Sequence, residues 1–184
     1  MLRRVAIAAA LVAILVLAGG VAVARSTPNL GTSGPTSVTG TEESAVFNVA
    51  ERAVRQVRYA DGGTLGYTFT LTNHSRVPVS VLGLDPDQPD QRLFHFLGLE
   101  GPGGDSRFSI GGGDSAEVTL LLDMGGCETL SSRSGSFVTE FSLLIEQAGI
   151  FDRTVQITLP EELHTGSPRE AFCPNSTATS RPPG

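Results

Sequence analysis

Histidine and methionine are the side chains through which an exported domain would bind copper or zinc. After its first 24 residues the chain has three histidines, His74, His95 and His164, and one thioether, Met124. No H-x-H or M-x-x-M spacing occurs among them. We therefore predict no metal site. A metal or small-ligand carrier that uses His95 or His74 remains the alternative.

Acidic and hydroxyl side chains also cluster, in patterns that turns explain. Asp85, Asp87 and Asp90 in LDPDQPDQ are oxygen ligands of the kind that calcium prefers, but this loop lacks the glycine and the terminal glutamate of an EF-hand. The serines around Gly135 have no G-x-S-x-G elbow, and GGGD at 111–114 is not followed by the residues of a phosphate loop. We predict no catalytic residue and no cofactor. A cryptic hydrolase assembled from scattered Ser, His and Asp is the third hypothesis.

Two cysteines, Cys127 and Cys173, are present, and in an oxidising compartment they would pair. A disulfide between them would hold the C-terminal segment against one end of the domain. The rival interpretation is a pair of free or redox-active thiols, which usually requires a C-x-x-C spacing or an activating partner. The sequence favours the disulfide.

The N-terminal segment has the pattern of an export signal. Arg3 and Arg4 precede an apolar and small run over 5–24, and Ala22 and Ala24 form an A-x-A cleavage site. The run is also just long enough to cross a bilayer as a helix. Residues 1–24 are thus either a cleaved signal peptide or a retained transmembrane anchor. In both cases the rest of the chain is extracytoplasmic, at the cell membrane or secreted.

Composition limits the classes of partner. All 13 basic residues are arginine, and the residues after position 24 carry 11 of them against 19 acidic residues, a formal net charge of −8. Binding to nucleic acid depends on basic surfaces that neutralise phosphates, so it is disfavoured. The 160 residues after the signal are enough for one domain with its own core.

Both ends of the exported part are predicted to be disordered. Residues 25–44 hold nine Ser or Thr, three Gly and two Pro but only two aliphatic side chains, Leu30 and Val38. Such a stretch buries too little apolar surface to order itself, which predicts a flexible linker. The tail over 174–184 is similarly polar and rich in proline. The folded domain is therefore predicted over 45–173.

Within the domain the hydrophobic period is two. Leu65, Tyr67, Phe69 and Leu71 alternate with Gly and Thr, the pattern of a strand with one buried face. The valines at 77, 79 and 81 repeat it after a turn, which predicts a hairpin with the first strand. Further strands are predicted over 54–60, 92–99, 107–110, 116–122, 137–146 and 153–159.

Residues 42–53 fit two patterns. Val46, Ala50, Ala53 and Val57 have helical spacing, with Thr41 as a cap, but an extra edge strand agrees better with an all-β chain. Seven or eight short strands between turns predict an antiparallel β-sandwich of immunoglobulin-like type, preceded by a hydrophobic helix and the linker.

The run GYTFTLTNHSRVPVSVLGL and the later FSIGGGDSAEVTLLL resemble strands and turns of exported bacterial immunoglobulin-like domains. The whole core over 54–174 is similar to uncharacterised exported or membrane-anchored proteins of high-GC actinobacteria. That family brings no established activity, so the resemblance implies a fold and no catalytic residue.

These observations favour a non-enzymatic, extracytoplasmic module that binds a protein or cell-envelope partner through its loops or an exposed sheet edge. If the N-terminal segment is retained, residues 5–24 would also contact the membrane. Asn73-His74-Ser75 and Asn175-Ser176-Thr177 match the acceptor pattern for N-glycosylation, which matters only in a host that glycosylates asparagine.

Overall fold

The computed structural model describes residues 7, 9–14, 19–20, 28–59, 62–89, 91, 93–125, 135–147 and 149–165. Its described part contains ten strands and one short 3-10 turn, Pro102–Gly104. The strands are β1 (Leu30–Thr39), β2 (Thr41–Val49), β3 (Arg52–Tyr59), β4 (Thr64–Asn73), β5 (Val79–Leu84), β6 (Phe94–Glu100), β7 (Phe108–Ile110), β8 (Ser115–Met124), β9 (Ser136–Gln147) and β10 (Phe151–Thr165).

The strands form two sheets that pack as a sandwich. One sheet has four strands in the order β1-β4-β8-β6, and the other has six in the order β2-β3-β10-β9-β5-β7. All registered pairs are antiparallel except β3 with β10, which run parallel. The described part of the domain is therefore an all-β, two-sheet sandwich in which the third strand, β3, lies beside the last, β10, in the larger sheet.

The alternation of the sequence builds the core directly. In β4 the side chains of Leu65, Tyr67, Phe69 and Leu71 are fully buried, because a strand's successive residues point to opposite faces. In β10, Ile157 and Leu159 are buried while Thr154, Gln156 and Thr158 are exposed. The predicted strands between 64 and 159 all exist, with ends that differ by a few residues. The all-β prediction is confirmed.

The predicted strand count and the strictly antiparallel arrangement are wrong. The described residues form ten strands where seven or eight were expected, because β1 lies within the segment predicted as a linker and β2 begins there. The parallel pair arises because β10 continues beyond its predicted end at Leu159, through Pro160, to Thr165. The extra residues keep the period of two, so Leu163 and Thr165 are fully buried beside β3.

The linker predicted over 25–44 is contradicted from position 30 onward, and the domain begins before residue 45. Residues 30–39 form β1, which pairs with β4, and residues 41–49 form β2. Leu30 and Val38 pack against the core, and threonine is a good strand former. Backbone hydrogen bonds to neighbouring strands therefore order this segment, although its side chains alone bury too little apolar surface to do so. For 42–53 the strand interpretation is confirmed, with a turn at 50–51.

The hairpin predicted between 65–72 and 77–81 is also wrong. Strand β4 lies in the four-stranded sheet and β5 in the six-stranded sheet, so the connection over 74–78 is an arch between the two layers. Asn73 stabilises this arch through its side chain. Its side chain binds the backbone at Val77 and Ser75, which holds the arch in place of a ladder between the two strands.

Several predictions fall on the termini. Residues 7, 9–14 and 19–20 are helical, and among the described residues no helix is long and apolar enough to cross a membrane. Ala22 and Ala24, both cysteines and the tail over 174–184 lie outside the described residues. The signal or anchor, the disulfide and the disordered tail therefore stay predictions.

Gly40 is the residue at which the chain passes from one sheet to the other, between β1 and β2. Its φ is +70°, and a Cβ there would overlap the carbonyl oxygen of Thr64. We expect Gly40→Ala to lower the free energy of unfolding by about 2 kcal/mol or more, measured by urea denaturation. Gly62→Ala is the matched control, since Gly62 has a φ of +73° but no atom within 4 Å of its Cβ position. Equal losses in both variants would show that the backbone angle, and not the contact, limits this crossing.

Candidate functional site

The outer strand β2 presents an edge of the six-stranded sheet. In the described sheets it pairs only with β3, through a two-residue turn at Ala50 and Glu51. Its register with β3 is uninterrupted from Glu43 to Val49. The N–H and C=O groups along the other side of that run are a template for one more strand.

Apolar side chains are exposed on both faces of this edge. The side chains from Ser44 to Val49 are all exposed, and the exposed fractions are 50% for Val46, 42% for Phe47 and 55% for Val49. Opposite residues of an antiparallel pair share a face. Phe47 lies opposite Val54 on one face and Val46 opposite Arg55 on the other. Strand β2 therefore extends past the core instead of covering it.

The other three edges of the two described sheets are blunted. Strand β1 contains Pro35, which has no N–H, and its register breaks between Ser33 and Ser37. The register of β6 breaks between Phe96 and Gly98, and β7 has only three residues. Proline, bulges and short strands are the means by which sheet edges avoid pairing with other chains. Such protection is missing from Glu43 to Val49.

A buried ion pair fixes the strand that carries this edge. Arg55 of β3 donates from Nε to a carboxylate oxygen of Glu161 in β10, and their side chains are only 12% and 6% exposed. Arg55 also donates from an Nη to the Oγ1 of Thr36 at 2.8 Å. The pair joins β3 to β10, and the contact with Thr36 joins both to β1 of the opposite sheet.

Tyr67 of β4 completes the cluster from across the sandwich. Its hydroxyl donates to the same oxygen of Glu161 at 3.1 Å. Burial of the phenol, and next the negative charge of Glu161, raise the pKa of Tyr67 well above its ordinary value. The hydroxyl therefore keeps its proton and stays a donor. One oxygen of the Glu161 carboxylate thus accepts hydrogen bonds from both sheets, from Arg55 of the larger sheet and from Tyr67 of the smaller one.

An open groove of about 390 Å³ lies beside this cluster, at the turn end of the β2–β3 hairpin. Arg52 and Glu162 form an ion pair of 2.5 Å at its side, with Arg52 76% exposed. The groove follows the interruption between Thr158 and Leu163 in the β9–β10 register. It places charged side chains next to the apolar edge.

The three histidines do not meet. His74 is exposed beside Gly31 at the end of β4, and His95 is exposed on β6. His164 stacks on Phe137 with ring centroids 4.5 Å apart. Within the described ranges no group of three or more His, Cys, Asp or Glu residues has the arrangement of a metal site. Met124 is buried in the core.

The acidic loop after β5 is held by hydrogen bonds of its own. The carboxylate of Asp85 accepts from the backbone N–H of Asp87 at 2.8 Å and from the hydroxyl of Thr154. The bond from Thr154, and next that from Asp87, lowers the pKa of Asp85. The amide of Gln88 binds both the N–H and the C=O of Ser142, as a neighbouring strand would. The loop is therefore a turn whose position is fixed by hydrogen bonds to β9.

The acceptor pattern at Asn73 is buried. The Nδ2 of Asn73 donates to three carbonyl oxygens, those of Val77, Ile110 and Gly111, at 2.9, 3.2 and 3.1 Å. Its Oδ1 accepts from the backbone and the hydroxyl of Ser75. The side chain is 0% exposed, so the folded domain offers no access to a glycosylating enzyme. Asn175, like Asp90, lies outside the described residues.

The residues of the ion-pair cluster were not singled out from the sequence. The sequence pattern that identifies them is the alternation of inward and outward positions along each strand. Arg55 occupies the same face of β3 as the buried Val57 and Tyr59. Glu161 continues the inward series of Ile157 and Leu159. A charged residue at an inward position of each of two strands predicts a buried ion pair, because an unpaired buried charge is costly.

Fold and site together define, in the described residues, a two-sheet β-sandwich whose β2 edge is exposed and carries no charged residue from Ser44 to Val49. No protein-family model matches the chain, and no curated protein matches it. Among solved structures it is similar to the cupredoxin domain of amoB from Nitrosocaldus yellowstonii, with 15% identity and a TM-score of 0.28. The match covers 66% of this chain and 65% of that chain, which is less than two thirds of the latter.

Proposed function

We propose that the chain is a non-enzymatic, extracytoplasmic, immunoglobulin-like module that binds a protein partner through the edge of β2. The regular edge from Glu43 to Val49, with exposed side chains from Ser44 to Val49, is the observation that carries this proposal. In strand addition the main-chain hydrogen bonds supply affinity, and alternate side chains supply specificity. Val46 on one face and Phe47 on the other are suited to the second role.

Strand order supports the immunoglobulin-like type. The sequence β1-β4-β8-β6 has the order of strands A-B-E-D of an immunoglobulin constant domain, and β10-β9-β5 has that of G-F-C. Two differences accompany this likeness. The strand in the place of D, β6, precedes the strand β7 that pairs beside C, and β2 extends the larger sheet beyond the parallel β3.

The extracytoplasmic location rests on the N-terminal segment. Ile7, Leu11, Val12 and Ile14 are more than half exposed, so these apolar side chains are free of the sandwich. We propose either removal with a signal peptide after Ala24 or retention in the membrane. An acidic exported part, with a formal net charge of −8, favours a protein partner over nucleic acid.

Site-specific photocrosslinking in intact cells tests the proposed edge. The full chain carries the photoreactive residue p-benzoylphenylalanine in place of Phe47, and in a second strain in place of Ile150. Ile150 is 75% exposed and lies in the turn between β9 and β10. We expect irradiation to give a discrete adduct from position 47, at a yield at least tenfold above that from position 150.

A second variant keeps this result specific. Val49→Lys adds a charge to the same edge, the device that blocks strand pairing in other proteins, and should abolish the adduct from position 47. Equal yields from positions 47 and 150, or an adduct that survives Val49→Lys, would contradict binding through β2.

A further inference from the structure

We propose that the partner of β2 is a second copy of this chain. The two β2 strands pair antiparallel about a two-fold axis at Val46 and join the two six-stranded sheets into one. This inference rests on the proposed function, because it names the occupant of the same edge. Three observations support it: the length of the regular edge, the distribution of charged residues along β2, and the two-fold symmetry that an antiparallel pair of identical strands would have.

The length of the regular edge fixes the centre of the pair. Directly opposite residues of an antiparallel pair share a face, so a two-fold axis perpendicular to the sheet must lie midway between the two copies of one residue. The uninterrupted register runs from Glu43 to Val49, and a break separates Glu43 from Thr41. Val46 is the midpoint of those seven residues. A pair centred there uses the whole regular run and none of the break.

Charge favours the same register. No charged residue occurs from Ser44 to Ala50. With the axis at Val46, Glu43 lies opposite Val49 of the second copy. With the axis at Phe47, Glu43 would lie opposite Glu51 of the second copy, and two like charges would meet. With the axis at Ala45, the break at Thr41 would enter the ladder.

The formal net charge of −8 on the exported part opposes the approach of two copies. The uncharged stretch of β2 is where the approach is least opposed. The pair would bury Val46 against its own symmetry mate and Phe47 against Ala45 of the second copy. The pair would also hydrogen-bond the free backbone N–H and C=O groups of β2 in both copies at once. The dimer would then be closed, with no β2 edge left to pair with a third chain.

Disulfide trapping at the axis tests this arrangement. Opposite Cα atoms of an antiparallel pair lie about 4.5–5.5 Å apart, within the span of a disulfide. Val46→Cys in the full chain is therefore expected to give a covalent dimer when intact cells are oxidised with copper phenanthroline. Val49→Cys is the matched control. It is a similarly exposed valine on the same strand, but its two copies would be six positions apart, or about 20 Å.

Dimer yields are read on non-reducing gels, with the wild-type chain as the baseline for its own cysteines. We expect the Val46→Cys dimer to exceed the Val49→Cys dimer at least fivefold. Equal yields from the two variants, or no dimer above the baseline, would overturn pairing of two copies. The photoadduct at position 47 separates the two ideas, since an adduct with a different protein keeps the proposed function and rejects the second copy. Loss of both signals rejects both.

Discussion

Asn73→Asp is expected to destabilise the domain by about 3–5 kcal/mol at neutral pH, which corresponds to a fall in melting temperature of roughly 10–20 °C. The substitution conserves the shape of the side chain. It replaces the NH₂ that serves the carbonyl oxygens of Val77, Ile110 and Gly111 with a negatively charged oxygen, at a site that is 0% exposed. Thermal melting followed by circular dichroism measures the loss.

The loss should depend on pH in a defined direction. Burial against three carbonyl oxygens raises the pKa of the new carboxyl above the value near 3.9 of an unfolded chain. The protonated form is favoured in the folded state, so the deficit relative to wild type is smallest near pH 4 and grows as the pH rises. Asn48→Asp, at an exposed position of β2, is the control for the chemical change alone. A deficit that is equal at pH 4 and pH 7 would contradict the assigned role of the Asn73 amide.

Glu161→Gln is expected to cost about 3–5 kcal/mol, because it leaves the guanidinium of Arg55 buried without a counter-charge. The matched control is Glu162→Gln. It removes the neighbouring ion pair with Arg52, whose side chain is 76% exposed, and should change stability by less than about 1 kcal/mol. Urea denaturation of the two variants measures the difference.

Removal of all the polar members should restore much of this stability. Arg55→Met, Glu161→Leu and Tyr67→Phe together replace the cluster with apolar side chains of similar size, and such replacements are often neutral or better. If the triple variant is as unstable as Glu161→Gln, the loss comes from packing and not from the unpaired charge. Because β2 pairs only with β3 in the described sheets, the Glu161→Gln chain should also give a weaker adduct from position 47.

Sequence reasoning located most strands because their information is local. The alternation over Leu65–Leu71 or Ile157–Leu159 depends on neighbouring residues alone, so it is visible without the fold. The order of strands is not local. The turn after Asn73 gives no sign of whether the next strand stays in the same sheet, and the choice is made by contacts from Asn73 to Ile110 and Gly111, about forty residues away.

Strand β1, which lies within the segment predicted as a linker, was missed for a related reason. A threonine-rich segment such as β1 is ordered by backbone bonds to β4 and by two aliphatic side chains, which composition alone undervalues. Binding through an exposed sheet edge stays a prediction from the sequence, and its assignment to β2 required the topology. To find the ion-pair cluster required both the sequence pattern and the topology, because Arg55, Glu161 and Tyr67 come from three strands and two sheets.

The parallel pairing of β3 with β10 determines how the domain responds to tension. Force applied to the start of the chain and to its end, after β1 and β2 have been drawn away, pulls Arg52 and Thr165 in opposite directions along one ladder. The four registered pairs from Val54–Glu162 to Val57–Thr165 are then loaded in shear, so they must break together and not one by one. The buried bond between Arg55 and Glu161 crosses the same two strands and shares that load. A module held at one end and pulled from the other therefore has its mechanical clamp at β3, the strand with which β2 pairs.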